Sequence, residues 1–388
     1  MSVYQHWDKL KTCMVGKSYP PEFYSWIKNP KARTAMEKIA TETEEDFQSL
    51  IEILKSFNVK VIRPEVSGNH EEYYIPELDR YSRAPLTPRD HLGKYGDRLI
   101  LRSVENYIKY WYDDIKDSSW PNIETIDDIK NLPKRILNEL EHVFNLDEEI
   151  KVHHKTAGEE TNTFQIKQAI TKSLEKNNID YIHYKGKITV DNASVCRVGK
   201  DLYYPGLLNH TEDEIKNVLG NQYRINMYEG DGHADSCFCP VVPGLIVSLH
   251  GYILYEKSFP GWKVVELPGQ SWDKVKEFME LKTKNKGKWW VPGEENNESL
   301  ITCVEEWLDN WVGYVEETVF DVNMLVIDKK NVIVNNYNKK VFDAFEEFGI
   351  TPHICNFRHR YFWDGGIHCI TSDIEREGEM IDYFPERG

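Results

Sequence analysis

The chain has 388 residues and a formal net charge of -16, because 64 Asp and Glu residues outnumber 48 Lys and Arg residues. That charge repels phosphate backbones and anionic lipid headgroups, which argues against nucleic acid or a membrane as a partner. No apolar run approaches the about 20 residues needed to span a bilayer, and the first residues lack the pattern of a secretory signal, so we expect a folded cytoplasmic protein.

Hydrophobic periodicity predicts an α/β protein in which strands alternate with helices. The chain opens with a predicted strand at Thr12–Val15, a helix at Ala32–Phe57 and a strand at Val59–Arg63, which is a βαβ-like order. A later helix is predicted at Asn338–Phe348, ended by Gly349. Further strands are predicted at Ile188–Val190, Leu202–Tyr204, Pro240–Leu249, Ile253–Tyr255, Lys263–Glu266, Met324–Asp328 and Asn331–Asn335.

Two regions carry no clear helix or strand pattern. Residues 106–160 are polar with scattered Trp and Tyr residues, and residues 282–298 form a charged segment marked by Gly and Pro. Trp289 and Trp290 in the second region either cap a cleft or pack beneath their own loop. No repeat of fixed period is visible. We expect a single domain over residues 1–388.

The seven cysteines are scattered without a CxxC pair, which argues against a disulfide framework and a structural zinc site. Cys237 and Cys239 would share one face of a strand, since side chains i and i+2 point the same way. They are either small core residues or two ligands of a metal ion, and we favour the core. We therefore expect no bound metal.

The first segment that can carry chemistry is FWDGGIHCITSDIEREG, residues 362–378. Adjacent glycines permit positive φ angles and close backbone approach, so the chain can turn sharply and present Cys369 to a cleft. A thiol there can act as a nucleophile if a cation or a histidine lowers its pKa. The alternative is an ordinary buried cysteine.

The second segment is DGHADSCFCPVVPGLIVS, residues 231–248. If it is extended, His233 and Asp235 point to one side, so that a base and a carboxylate face one pocket. Three further carboxylates stand beside turn signals: Asp90, Asp191 and Asp364. Each is also ordinary in a loop or cap, and spacing does not bring these residues together.

These two segments resemble the active-site segments of the glycine amidinotransferase family, arginine-dependent enzymes within the guanidino-group-modifying superfamily. The GGxHC ending is the most specific feature, and the likeness continues upstream through NMLVIDKKNVIVNN, so that it covers roughly residues 323–378. Weaker likeness covers WDKLKTCMVGK at the start, VKVIRPE, the PRD at Pro88–Asp90, and DNASVCRVGKDLYY from residue 191.

The resemblance implies a role for each candidate residue. Cys369 would be the nucleophile, His233 the general acid and base, and Asp191 the carboxylate that orients this histidine. Asp90 and Asp235 would grip the guanidinium. The implied activity is transfer of the amidino group of arginine to an amine, most readily glycine, by a ping-pong mechanism with no cofactor.

The resemblance also implies a fold, a five-bladed α/β propeller of ββαβ-type modules with pseudo-fivefold symmetry. The expected partners are small molecules, namely arginine and an amine acceptor. A homodimer is left open.

The chain departs from the family pattern at two places. The arginine that holds the donor carboxylate is replaced near Tyr252, and a serine pair is replaced by Glu316 and Glu317. Arg358 or Arg360 is a candidate substitute for the missing arginine. A deiminase-type hydrolase and a guanidino-binding protein without turnover are therefore retained as alternatives.

Overall fold

A computed structural model describes residues 2–75, 80–103, 119–122, 132–137, 165–186, 188–206, 210–228, 233–249, 253–267, 291–308 and 320–387. Most of region 106–160 lies outside these ranges, as do Trp289, Trp290, Tyr252, Glu316 and Glu317. Within them the chain is an α/β fold of small sheets, as the periodicity predicted.

The strands of the described chain are short. In chain order they are β1 (Lys9–Val15), β2 (Lys60–Ile62), β3 (Tyr74–Ile75), β4 (Arg80–Tyr81), β5 (Leu92–Tyr95), β6 (Arg98–Ser103), β7 (Ile182–Lys185), β8 (Cys196–Val198), β9 (Asp201–Pro205), β10 (Arg224–Tyr228), β11 (Phe238–Val242), β12 (Leu245–Leu249), β13 (Lys263–Leu267), β14 (Leu325–Asp328), β15 (Asn331–Val334), β16 (Thr351–Ile354) and β17 (Thr371–Glu377).

Helical segments follow the second strand of each sheet or connect the sheets. They include α1 (Pro30–Ser56), α2 (residues 165–176), α3 (Glu212–Leu219), α4 (Tyr255–Ser258), α5 (Glu298–Trp307), α6 (Lys339–Phe348) and α7 (Arg360–Trp363).

Five three-stranded sheets of the described chain share one topology. In each, a first strand pairs antiparallel with a central strand, and a third strand pairs parallel with that central strand after a helix. We number these units by their strands: unit 1 (β5, β6, β7), unit 2 (β8, β9, β10), unit 3 (β11, β12, β13), unit 4 (β14, β15, β16) and unit 5 (β17, β1, β2). The repeated topology matches the ββαβ modules that the resemblance implies, whereas a closed five-bladed ring stays a prediction.

The helix α1 shows how the sequence sets an element of this fold. Asn29 caps its first turn by accepting hydrogen bonds from the amides of Lys31 and Ala32, and Pro30 fills the first position. Its apolar face is buried in the core, while the opposite face is charged. In the described ranges no helix is both long enough and apolar enough to cross a bilayer.

One long predicted strand is a hairpin. Residues Pro240–Leu249 fall in β11 and β12, which pair antiparallel with Phe238 opposite Ser248. The chain reverses at Pro243 and Gly244, and Gly244 has a φ of 94° that a residue with a Cβ rarely adopts.

Two short predicted strands are wrong. Residues Ile188–Val190 are irregular, and the Val190 carbonyl accepts a hydrogen bond from the Tyr95 hydroxyl at 3.1 Å rather than from a neighbouring strand. Residues Ile253–Tyr255 lead into α4, because the Leu254 carbonyl accepts from the amide of Ser258. The other predicted strands and helices overlap described elements, and α6 ends at a left-handed Gly349 with a φ of 67°.

Unit 5 joins strands that are far apart in the sequence. Its strand β17 pairs antiparallel with β1, with Cys13 opposite Asp373 and Val15 opposite Thr371. This pairing anchors the chain directly after Cys369.

A buried ion cluster lies on β17 and ties three units together. The Asp373 carboxylate accepts hydrogen bonds from Arg197 of unit 2 at 2.8 and 2.9 Å, and from Arg376 of unit 5 at 2.9 Å. Arg89, which precedes unit 1, donates to it at 3.2 Å. Burial on its own would raise the pKa of Asp373, but these three guanidinium groups hold the pKa well below its ordinary value.

Removing the charge of Asp373 should strongly destabilise the fold. We expect Asp373→Asn to lower the free energy of unfolding by about 3–5 kcal/mol, because three buried guanidinium groups would lose their counter-ion. Urea denaturation measures this loss.

The matched control is Asp343→Asn, whose partner Lys339 forms an exposed pair with it. That variant should lose less than about 1 kcal/mol. Equal losses in the two variants would contradict the role given to the buried cluster.

Candidate active site

Five polar residues occupy the same topological position in the five units, just before the first strand. Asp90 precedes β5, Asp191 precedes β8, Asp235 precedes β11 and Cys369 precedes β17. Asn323, which sequence reasoning did not single out, precedes β14. The units thus carry these residues on equivalent loops.

The loop of Cys369 is shaped by its close approach to unit 4. A Cβ on Gly366 would lie 2.6 Å from the Asn323 Oδ1, so only glycine fits there. The positive φ expected of the glycine pair falls instead on Asp364, with a φ of 52° at the end of α7. Close approach is therefore the reason for glycine at residue 366.

The side-chain amide of Asn323 contacts the loop of Cys369 through both its oxygen and its nitrogen. Its Oδ1 accepts from the backbone amides of His368 at 2.8 Å and Cys369 at 3.2 Å. Its Nδ2 donates to the Cys369 sulfur at 2.9 Å and to the Asp235 carbonyl at 3.3 Å. One buried side chain thereby fixes the sulfur relative to unit 3.

The sulfur of Cys369 lies among polar groups. It is 3.9 Å from the Asp235 Oδ2, and the residue is 3% exposed. His233 and Asp90 are more open, with side chains 41% and 27% exposed. The site therefore meets solvent on the side of His233 and Asp90, with the thiol at its inner end.

The Asp235 carboxylate is the most constrained of the candidate groups. It sits in a short helical turn, Ala234–Ser236, whose Asp235 amide donates to the Ala193 carbonyl at 3.2 Å. The Oδ2 faces the Nδ1 of His368 at 2.7 Å. The Oδ1 is buried and receives no hydrogen bond from the described part of the chain.

Burial raises the pKa of Asp235 to about 7. The positive charges of His233 and Arg89 oppose this rise in pKa. The negative charges of Asp90 and Asp191 add to it, since a like charge disfavours the ionised form of a carboxyl group.

His233 and Asp90 face each other, with 3.9 Å between the Nδ1 of the histidine and the Oδ1 of the aspartate. Burial raises the pKa of Asp90, His233 opposes the shift, and Asp191 adds to it. The Asp90 Oδ1 accepts no hydrogen bond from any described residue.

Asp191 is the third carboxylate. Its Oδ1 accepts from the backbone amide of Ser194 at 2.7 Å, and its Oδ2 lies 3.7 Å from Arg102. Its negative charge adds to the rise in the pKa of both Asp90 and Asp235. Its role as the group that orients His233 stays a prediction.

Arg358 and Arg360 do not serve as the substitute for the missing arginine. Arg358 donates to the carboxylates of Asp46 and Glu45 on α1 at 2.8 and 2.7 Å. Arg360 donates to Asn356 at 2.9 Å and packs on the Tyr361 ring. Both guanidinium groups are already bound to neighbours outside the candidate site.

Of the neighbouring cysteines Cys237 and Cys239, the second is a core residue and the first is partly buried. Cys239 is buried in β11, and burial raises the pKa of its thiol to about 12, so the thiol is neutral. No group of three or more His, Cys, Asp and Glu side chains within the described ranges is arranged to hold a metal ion.

This arrangement suits a planar cation with several N–H donors. The carboxylates of Asp90 and Asp235 each have a buried oxygen that accepts no hydrogen bond from the described residues, and the charge of Asp191 acts on both, so a bound cation would relieve their repulsion. A guanidinium has the required charge and geometry, and Cys369 would face its carbon.

Comparison with known proteins agrees with this chemistry. No family model matches the chain. It is 22% identical to the mitochondrial glycine amidinotransferase of Xenopus tropicalis over 424 aligned residues, covering 98% of the chain and 84% of that protein. It is 23% identical to the L-arginine:L-lysine amidinotransferase of Pseudomonas savastanoi pv. phaseolicola, over 50% of the chain and 47% of that enzyme. The chain is thus similar to amidinotransferases over nearly its whole length.

Solved amidinotransferases share its fold. An amidinotransferase of the saxitoxin biosynthetic pathway from Microseira wollei superposes with a TM-score of 0.56 at 16% identity, covering 99% of both chains. The inosamine-phosphate amidinotransferase of Streptomyces griseus gives 0.55 at 16% identity, covering 98% of both chains. The resemblance to the amidinotransferases seen in the sequence is thus confirmed, with an α/β fold.

Three residues of this candidate site were not predicted from the sequence. Asn323 could have been found by its place just before the first strand of unit 4, where the other units carry a candidate residue. His368 stands next to Cys369 but was passed over as part of the motif. Arg89, which donates to the carbonyls of His368 and Thr371 at 2.7 and 2.8 Å, had no signal beyond its place beside Asp90.

Arginine binding should depend on pH through Asp235. The carboxyl has a pKa of about 7 in the free protein, and a guanidinium binds its ionised form. We therefore expect affinity to rise as pH increases toward 7, by up to about tenfold per pH unit, and to level off above it.

Calorimetric titration of a Cys369→Ser variant with arginine, from about pH 5 to about pH 9, measures this without turnover. Asp235→Asn in the same background should bind arginine more weakly and with a shallower pH dependence. A dissociation constant that stays constant through this range would contradict the assignment.

Proposed function

We propose that this amidinotransferase moves the amidino group of L-arginine to an amine, with glycine as the first candidate acceptor. The products would then be ornithine and guanidinoacetate. The single observation that carries this proposal is the thiol of Cys369, 3.9 Å from the carboxylate of Asp235, whose buried Oδ1 accepts no hydrogen bond from the described residues. The choice of substrates follows the names of two relatives, a glycine amidinotransferase and an L-arginine:L-lysine amidinotransferase.

The first half-reaction forms a covalent adduct. Asp90 and Asp235 hold the guanidinium N–H groups, which orients its central carbon toward the sulfur. The thiolate of Cys369 adds to that carbon, and protonated His233 gives its proton to the departing nitrogen. The carbon–nitrogen bond breaks, ornithine leaves, and a cationic amidino group remains on the sulfur.

The second half-reaction returns the enzyme to its starting state. His233 is now neutral and takes a proton from the incoming amine, which attacks the amidino carbon. The carbon–sulfur bond breaks and the thiolate is restored, so atoms and charges balance over the cycle. Because one site serves both halves, the kinetics should be ping-pong.

The fold supports a shared site. We propose that the five units close into a propeller around it, since each unit carries one of the site residues just before its first strand. Such a ring would bring five loops to one centre.

Arginine alone should leave an amidino group on Cys369. We expect intact-protein mass spectrometry to show a mass gain of one amidino group on the wild-type chain, located by peptide mapping. Cys369→Ser should show none. Consumption of arginine without any adduct on Cys369, in rapidly quenched samples, would contradict the mechanism.

Reactions with and without an amine acceptor distinguish amidino transfer from hydrolysis. Adding glycine should discharge the adduct and release guanidinoacetate, and parallel reactions with lysine test the other named acceptor. Citrulline formation without any amine would identify a deiminase-type hydrolase instead. Arginine binding without an adduct would identify a guanidino-binding protein.

Loss of the His233 imidazole should be severe. We expect His233→Asn to lower kcat by about 10²- to 10⁴-fold, since proton transfer in both half-reactions would lose its group. His183 is an exposed histidine on β7 of unit 1, so His183→Asn is the matched control and should keep wild-type kcat. A His233→Asn enzyme within threefold of wild type, roughly the noise of such assays, would refute the assigned role.

A further inference from the structure

His368 is a buried imidazole for which the proposed reaction gives no role. It stands directly before Cys369, and its backbone amide is held by the Asn323 Oδ1 at 2.8 Å. Its Nδ1 lies 2.7 Å from the Asp235 Oδ2, the same oxygen that is 3.9 Å from the Cys369 sulfur. The imidazole thus contacts the carboxylate from the side of the nucleophile loop.

The imidazole is neutral. Burial lowers the pKa of His368 well below its ordinary value. Arg89, His6 and Arg197 lower this pKa further, whereas the negative charge of Asp373 raises it. A neutral imidazole has a single N–H group, and an ionised carboxylate only accepts hydrogen bonds. The hydrogen therefore resides on Nδ1 and is donated to Asp235 when that carboxylate is ionised.

A neutral hydrogen-bond donor leaves the negative charge of a carboxylate available to a cationic substrate, whereas a cation of the protein compensates that charge. Asp373 is surrounded by three arginines, so its negative charge is already compensated. Asp235 instead has a neutral hydrogen-bond partner on Oδ2, and its Oδ1 accepts no hydrogen bond from the described residues. Its ionised form is stabilised by this neutral donor, and within the described ranges no Lys or Arg side chain is hydrogen-bonded to it, which leaves Oδ1 for a guanidinium.

The surroundings of the imidazole restrict its movement. The His6 ring lies 5.7 Å from the His368 ring, and the Cys196 sulfur is 3.5 Å from the His6 Nε2. A cavity of only about 10 Å³ remains between these groups and Asp235. The hydrogen bond to Asp235 is thus held by packing as well as by charge.

We propose that His368 is a positioning residue for guanidinium binding. Its neutral imidazole holds the Oδ2 of Asp235, so that the ionised carboxylate presents Oδ1 to the substrate beside the Cys369 sulfur. This inference rests on the proposed function, because it assumes that Asp235 binds a guanidinium.

Two substitutions of the same shape separate the hydrogen bond from packing. Asn carries an amide nitrogen at the branch position that corresponds to the imidazole Nδ1, so His368→Asn keeps a donor. Leu has the same branched outline without one. Both variants remove the same part of the ring, so a purely structural role would affect them equally.

The measurement is the arginine dissociation constant against pH, by calorimetry, with each substitution placed in the Cys369→Ser background. We expect His368→Leu to weaken binding by roughly 10- to 100-fold near pH 7 and to move the midpoint of its pH dependence upward. The midpoint moves because Asp235 loses a donor that favours its ionised form, while the other charges facing it, His233, Arg89, Asp90 and Asp191, are unchanged. His368→Asn should restore the midpoint and most of the affinity.

Equal midpoints for His368→Leu and the parent would overturn this inference, as would equal losses in the Leu and Asn variants. Thermal unfolding of each variant checks that the fold is retained. If the parent Cys369→Ser chain binds no arginine at any pH, the proposed function fails and this inference falls with it. Arginine binding by the parent, with an unmoved midpoint in His368→Leu, refutes the inference and leaves the proposed function standing.

Discussion

The buried contact between Asp373 and three arginines is the interaction on which the site depends most. Arg89 adjoins Asp90 and also donates to the carbonyls on either side of Cys369, at His368 and Thr371. Arg197 lies in unit 2, which follows Asp191 in the chain, and it donates two hydrogen bonds to the Asp373 carboxylate. Removing one charge from such a cluster leaves the others uncompensated in a low-dielectric interior, so the loops of three units would lose their common anchor.

Two buried aspartates in this region, Asp373 and Asp235, have opposite electrostatic environments, which fit a structural role for the first and a binding role for the second. Asp373 is saturated by guanidinium groups of the protein, and its pKa is held well below its ordinary value. Burial raises the pKa of Asp235 to about 7, and among the described residues its carboxylate contacts the His368 imidazole at 2.7 Å and the Cys369 thiol at 3.9 Å. The first carboxylate is fully hydrogen-bonded within the fold, whereas the second has an oxygen, Oδ1, that accepts no hydrogen bond from the part of the chain that the structure describes.

The sequence was sufficient for the elements with strong local signals and for the residues inside recognisable motifs. The Asn29 cap, the apolar face of α1 and the left-handed Gly349 follow from local chemistry, and the predicted boundaries lie close to the described ones. Apolar residues on both sides of Pro243 and Gly244 predict one strand, whereas the structure has a hairpin that turns at this Pro-Gly pair. Asn323 and Arg89 act through contacts with residues 46 and 279 positions away, which no local pattern encodes.

The central claim is that three carboxylates and one thiol surround a guanidinium. The most direct measurement is a crystal structure of the Cys369→Ser chain with L-arginine bound. It should place guanidinium nitrogens within about 3 Å of oxygens of Asp90 and Asp235, with the central carbon facing residue 369. Arginine bound elsewhere, or a guanidinium that contacts neither carboxylate, would contradict the account.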